Sequence, residues 1–168
     1  AAYDNGTRSY DGRPGSKYWD NTVDYKIKAS IDPATRELTG SETVVFKNNS
    51  PDDLSQIVVR LYHDVFKKGN QRGSSVNPKD INEGVEISKL TVGGTSINLA
   101  RGVRRSGTNL YVNLANPVSK QSEVTIEIDW KMVIPLTTRR TGAYDSTSFF
   151  VAYWYPQIAV YDDVYGWD

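Results

Sequence analysis

The sequence predicts an all-β domain, a saddle-like β-sandwich of about eight mostly antiparallel strands. Three observations predict it. Two long stretches alternate apolar and polar residues with a period of two, and turn residues recur between the apolar runs. No run of twelve residues carries the 3.6-residue period of an amphipathic helix. A chain of 168 residues fits one such domain and is long enough to bury a core without disulfides, of which it can form none, having no cysteine.

Residues 1–17 are polar and glycine-rich without periodicity, and read as a flexible arm; residues 18–168 read as the β-sandwich domain. From Trp19 to Ile31 the odd positions are mostly apolar and the even ones polar, which gives one buried and one wet face. Asp32-Pro33-Ala34-Thr35 is a turn, because proline presets φ and aspartate bonds the backbone that follows. A second strand runs from Glu37 to Lys47 with Val44 and Phe46 on one face, and Asn48-Asn49-Ser50-Pro51 ends it. The third, Gln56 to Tyr62, carries Ile57, Val58, Val59 and Leu61, the composition of a strand inside a sheet. Phe66 to Gly84 is a polar loop long enough to predict either a contact role or disorder. Gly93-Gly94 between Val85–Val92 and Thr95–Leu99 is a hairpin signal. Leu110, Val112 and Leu114 alternate, as do Val124, Ile126, Ile128, Trp130 and Met132, with a turn at Asn116-Pro117-Val118-Ser119. Val23, Tyr25, Ile27, Val124, Ile126, Ile128 and Trp130 are predicted to share a core.

Lys plus Arg equals Asp plus Glu, 20 against 20, so nothing electrostatic points to nucleic acid or an anionic membrane. The clusters Arg101, Arg104, Arg105 and Arg139, Arg140 read as solvated loop charge. No stretch reaches the ~18 apolar residues of a membrane helix. Ala1-Ala2 is compatible with a mature end left by signal cleavage and equally with a boundary inside a longer chain; a periplasmic, secreted or cell-surface location is the expectation.

Catalytic constellations are sparse. A hydrolytic zinc site needs about three protein ligands, and the chain has one histidine, His63. The HExxH and G-x-S-x-G patterns are both absent from the sequence. His63 reads as a hydrogen-bonded residue at the sandwich rim. The neighbouring carboxylates Asp52-Asp53 and Asp162-Asp163 point apart on an extended chain, so turn or interface use is expected. Asn48-Asn49-Ser50 matches a glycosylation acceptor.

The final 25 positions hold Tyr144, Phe149, Phe150, Tyr153, Trp154, Tyr155, Tyr161, Tyr165 and Trp167. So dense an aromatic run, ending at Gly166-Trp167-Asp168, predicts a chain that continues, with a docking face formed by Phe149, Phe150, Tyr161, Asp162 and Trp167. Filling of this domain's own core by the same rings is the competing reading. A different function class, a free-standing module stacking sugar or peptide on Tyr153, Trp154 and Tyr155, stays open beside it, as does an Ig-like spacer.

Tyr25-Lys26-Ile27 leading to Leu38-Thr39-Gly40, then Leu61-Tyr62-His63, Glu83-Gly84-Val85-Glu86-Ile87 and Leu90-Thr91-Val92-Gly93-Gly94 follow one another in a familiar order. Gly107-Thr108-Asn109-Leu110, Ile134-Pro135, Arg140-Thr141-Gly142 and Trp154-Tyr155-Pro156-Gln157-Ile158-Ala159-Val160-Tyr161-Asp162-Asp163 continue it. Over residues 18–168 this order resembles the amino-terminal domain of zinc metallopeptidases of the aminopeptidase N and leukotriene hydrolase type. The Trp-Tyr-Pro form is similar to the bacterial, Bacteroidetes-like branch. The resemblance implies a non-catalytic β-saddle that packs on a zinc-binding catalytic domain of the same polypeptide and walls its peptide-binding cleft. It implies zinc in that catalytic domain and no cofactor here. A glutamine near the substrate amine is usual in that family; the matching position is Tyr153, with Trp154 and Tyr155 beside it as substrate-binding candidates.

Overall fold

The computed structural model describes residues 2–136 and 140–168. Arg139, one member of the basic pairs above, and Ala1 lie outside the described residues. The chain folds as an all-β sandwich. Its strands are β1 (Thr22–Asp32), β2 (Glu37–Asn48), β3 (Leu54–Arg60), β4 (Glu86–Val92), β5 (Thr95–Ser96), β6 (Val103–Ser106), β7 (Asn109–Val118) and β8 (Ser122–Val133). Five two-residue strands follow: β9 (Gly142–Ala143), β10 (Phe149–Phe150), β11 (Gln157–Ile158), β12 (Tyr161–Asp162) and β13 (Gly166–Trp167).

One sheet has the order β1-β2-β8-β4-β5 and the other β11-β3-β7-β6, with every pair antiparallel. The core lies between them. Val44 and Phe46 of β2, with Ile126, Ile128 and Trp130 of β8, meet Ile57 and Val59 of β3 and Leu110 and Val112 of β7. β8 is central and fully alternating, so the period-two reading of its residues holds. β1 is an edge strand starting three residues later than predicted. Val23 and Tyr25 pack against the core, Ile27 is half-buried and Ala29 is exposed, because an edge strand is covered from one side only. β3 lies between β7 and the short β11, as its apolar composition predicts. Gly93 and Gly94 have φ of 56° and 76°, the pair of positive values a two-residue type I′ hairpin requires.

A close approach explains Gly40. It stands opposite Trp130 in the β2–β8 register, and a Cβ there would overlap the indole ring. Asn48 is fully buried, with Nδ2 donating to the carbonyl of Asp52 at 2.8 Å and Oδ1 accepting from the Ser50 hydroxyl at 2.6 Å. The glycosylation triplet is therefore a folded corner that no glycan could reach.

The arm is seated against the other end of the chain. After a short helix, Ala2–Asn5, Thr7 is buried and donates to Asp163 Oδ2 at 2.6 Å. Arg8 grips the same carboxylate through Nη2 at 2.6 Å and Nε at 3.0 Å. These bonds hold the Asp163 carboxyl down at about 2, Arg8 contributing most.

Two of the predicted loop charges are structural. Arg104 lies on β6, 4.0 Å from the centre of the Tyr111 ring. Arg105 pairs at 2.6 Å with Asp64, which is buried and also accepts the Val85 amide at 2.8 Å. A charge buried this way is tolerated because β6 supplies its cation and the residue just before β4 supplies an amide.

Candidate functional site

The segment from Arg140 to Asp168 forms a strap that runs beside β3 and packs on the core from Trp130 to Phe46. Its β11 pairs with β3, and the Tyr25 hydroxyl accepts the Ile158 amide at 2.8 Å. Burial pushes the Tyr25 phenol up to about 12, so it stays a neutral hydrogen-bonding group. Trp167 Nε1 donates to the carbonyl of Gln56 at 3.0 Å. Rings fill the spaces between: Trp154 against Trp130 at 5.9 Å, Tyr155 against Tyr25 at 5.3 Å, and Trp167 against Phe46 at 6.0 Å.

The predicted site residues separate. Trp154 and Tyr155 are half-buried against the core, whereas Tyr153 is 44% exposed on the opposite side of the chain turn. Tyr153 has φ of 54°, a left-handed backbone that is uncommon for a bulky residue. Of the docking candidates, Phe149, Tyr161 and Trp167 pack on the core, and Phe150 is exposed. Asp162 Oδ1 accepts the amides of Val164 and Tyr165, which forms the tight turn of the β12–β13 ribbon. Outward-facing Tyr144, Phe150, Tyr153 and Tyr165 leave an aromatic surface on the strap. The carboxylates Asp52 and Asp53 serve as tethers, accepting from the Tyr161 hydroxyl at 2.9 Å and the Lys120 amide at 2.7 Å.

Tyr153 opens onto a cavity of about 490 Å³ between the strap, the 3-10 turn Tyr62–Phe66 and the long loop carrying Ser74 to Asn77. The Tyr62 and Tyr153 rings lie 4.9 Å apart, and Arg140 Nη1 donates to the Tyr153 hydroxyl at 3.1 Å. His63 forms part of the wall and is buried, not rim-exposed as its place in the sequence suggests. The chain turns inward there because β3 stops at Arg60 and a 3-10 turn follows. Burial drives the His63 pKa down to about 4, so the ring is neutral at neutral pH. Its Nε2 is 3.4 Å from Thr141 Oγ1.

One buried group escaped the sequence reading. Glu42 projects into the core from β2, between Ile27 and Ile128 of the neighbouring strands. Burial pushes its carboxyl up to about 8, and the nearby Trp130 indole draws it back only in part. Neither its carboxylate oxygens nor Trp130 Nε1 has a hydrogen-bond partner in satisfactory geometry. The signal was legible: Glu42 shares its parity with Val44 and Phe46.

Among the described residues no three His, Cys, Asp or Glu side chains are grouped to hold a metal ion, so these residues do not fit a zinc site. No helix of the described residues is long and apolar enough to cross a membrane.

No family model matches the sequence, and no curated protein matches it. Solved structures with a similar fold include an M1 zinc metallopeptidase from Deinococcus radiodurans, at 15% identity and a TM-score of 0.47 over 74% of this chain and 23% of that one. A mutant two-domain M1 zinc metallopeptidase bound to L-arginine gives 15% and 0.47 over 76% of this chain and 24% of the other. Native yeast LTA4 hydrolase gives 13% and 0.36 over 70% and 17%. The chain thus spans about a quarter of the length of these metallopeptidases or less.

Proposed function

We propose that this chain is the non-catalytic amino-terminal domain of an aminopeptidase-like zinc metallopeptidase, packing on a catalytic domain of the same polypeptide and walling its cleft. The observation that carries this reading is the strap. The segment from Trp154 to Asp163, whose sequence resembles the one preceding the catalytic domain in that family, folds onto the sandwich through β11 and turns Tyr153 outward. In this reading the exposed Tyr153 meets the peptide, and the exposed rings of Phe150 and Tyr165 face the neighbouring domain. Zinc belongs, in this reading, to the catalytic domain. A bacterial origin in the Bacteroidetes-like branch, for which the Trp-Tyr-Pro form speaks, and a periplasmic, secreted or cell-surface location are parts of the same proposal.

The test starts from the intact reading frame. The expected result is an HExxH with a distal glutamate beyond Asp168, and zinc-dependent hydrolysis of aminoacyl amides by the full-length protein. The present chain alone is expected to carry no zinc and to leave those substrates intact. In the full-length protein, amides of residues 149–167 should gain protection from hydrogen exchange. Stoichiometric zinc with chelator-sensitive hydrolysis by the present chain would overturn the proposal, as would equal protection of the strap in both proteins.

A further inference from the structure

The cavity beside Tyr153 has a size, a charge and a strained wall that together define a ligand class. At about 490 Å³ it falls within the range of small-molecule sites. Val65, Phe66 and the rings of Tyr62 and Tyr153 make much of its lining apolar and aromatic. Arg140 stands beside them, its guanidinium carbon 6.0 Å from the centre of the Tyr153 ring. It makes no ion pair among the described residues, and one of its five N–H donors is used on the Tyr153 hydroxyl. Two other titratable side chains of the lining, His63 and Asp80, are buried. His63 is held neutral by burial. Asp80 is 3% exposed, and its Oδ1 accepts the Leu136 amide at 2.6 Å.

Tyr153 is held in place from both sides. Its ring packs on Tyr62, and the next residue, Trp154, is wedged against Trp130. A left-handed backbone at a large aromatic persists only where the surroundings enforce it, and such positions concentrate at ligand sites. Here the result is an aromatic face beside a cation that has no carboxylate partner among the described residues.

We infer that this cavity binds a carboxylate attached to an aromatic or flat apolar body. The carboxylate pairs with the Arg140 guanidinium, which suits planar two-oxygen anions, and the body packs on Tyr62 and Tyr153. The assignment rests on this cavity alone and holds whether or not the intact protein is a peptidase.

The test is an NMR titration of the ¹⁵N-labelled chain with N-acetylphenylalanine, its primary amide, and acetyl-phenylalanyl-aspartyl amide, whose single charge is on a side chain. The expected result is that N-acetylphenylalanine or the aspartyl probe shifts the amides of Thr141, Ala152 and Tyr153. At least one of them should bind about ten-fold more tightly than the uncharged amide. Binding of N-acetylphenylalanine alone identifies a terminal carboxylate as the ligand, and binding of the aspartyl probe alone identifies an acidic side chain. Arg140→Gln should abolish the preference for charge, and Tyr153→Gly should weaken all three probes together. Equal binding of charged and uncharged probes, binding of none, shifts confined to the Trp154 side of the strap, or a preference that survives Arg140→Gln would each overturn the inference. Should either variant fail to fold, the comparison of charged and uncharged probes on the unaltered chain decides alone.

Discussion

Strands β2 and β8 pair through twelve consecutive residues, whereas the described strap from Arg140 to Asp168 has no strand longer than two. The first region satisfies its backbone with a ladder and leaves its side chains free to alternate between core and solvent. The second has only two-residue pairings and supplements them with single bonds and rings. Its amides and indoles end on Tyr25, Gln56 and the turns made by Asp145 and Asp162. The difference teaches where damage will spread. A ladder strand fails with the whole sheet, while a strap held by rings and single bonds can open by itself.

The largest effect is expected in the ladder region. Ile126→Ala leaves a cavity at a fully buried site and should cost about 2–5 kcal/mol of global stability in urea unfolding. If Ile126→Ala opens only a local segment, the contrast between the two regions fails. Trp154→Ala should cost roughly 2–3 kcal/mol because the ring is only partly buried. Its signature is local: hydrogen exchange at Gln157 and Ile158 should accelerate before that of β8.

Glu42 and His63 sharpen the comparison through pH. With its folded pKa raised to about 8, Glu42 binds its proton more tightly in the folded chain, so stability falls as pH rises from about 4.3 to about 8. With its folded pKa lowered to about 4, His63 does the opposite, and stability falls as pH drops from about 6.5 to about 4. The two slopes oppose each other in the overlap, so the Glu42 slope emerges above about pH 6.5. Glu42→Gln should flatten that limb and add roughly 2 kcal/mol near pH 8, measured by urea midpoints across the range. An unchanged limb in the variant would show that Glu42 ionises normally in the fold.

The smallest effect belongs to the arm. Arg8→Ala removes a partly exposed pair and should leave global stability almost unchanged, its effect being faster proteolysis of residues 2–17. The depressed Asp163 pKa makes its contribution complete above about pH 3.9 and lost as pH falls through about 2, so arm release on acidification should occur only in strong acid.

The sandwich was largely legible in the sequence because period-two patterns on β1 and β8, and glycine pairs at the β4–β5 hairpin, are local statements about the backbone. The strap was legible only as aromatic density. Which ring faces in depends on bonds to residues more than a hundred positions away, such as Tyr25 and Gln56, and no local pattern encodes them. The same reason hid the roles of Arg105 and Arg8, whose partners come from distant segments. Tyr153 was found by resemblance. Its left-handed backbone and its company with Arg140 and Tyr62 required coordinates.

The overlap that any side chain at Gly40 would make with the Trp130 ring binds two strands into one heritable unit. Substitution of either position has to be read in the background of the other. Gly40→Ala should be damaging alone and tolerable once Trp130 becomes a smaller residue, while a smaller residue at 130 leaves a void that a methyl group at 40 begins to fill. Drift along this lineage can therefore cross that site only by paired steps, and a library that randomises one position at a time would score both as immutable.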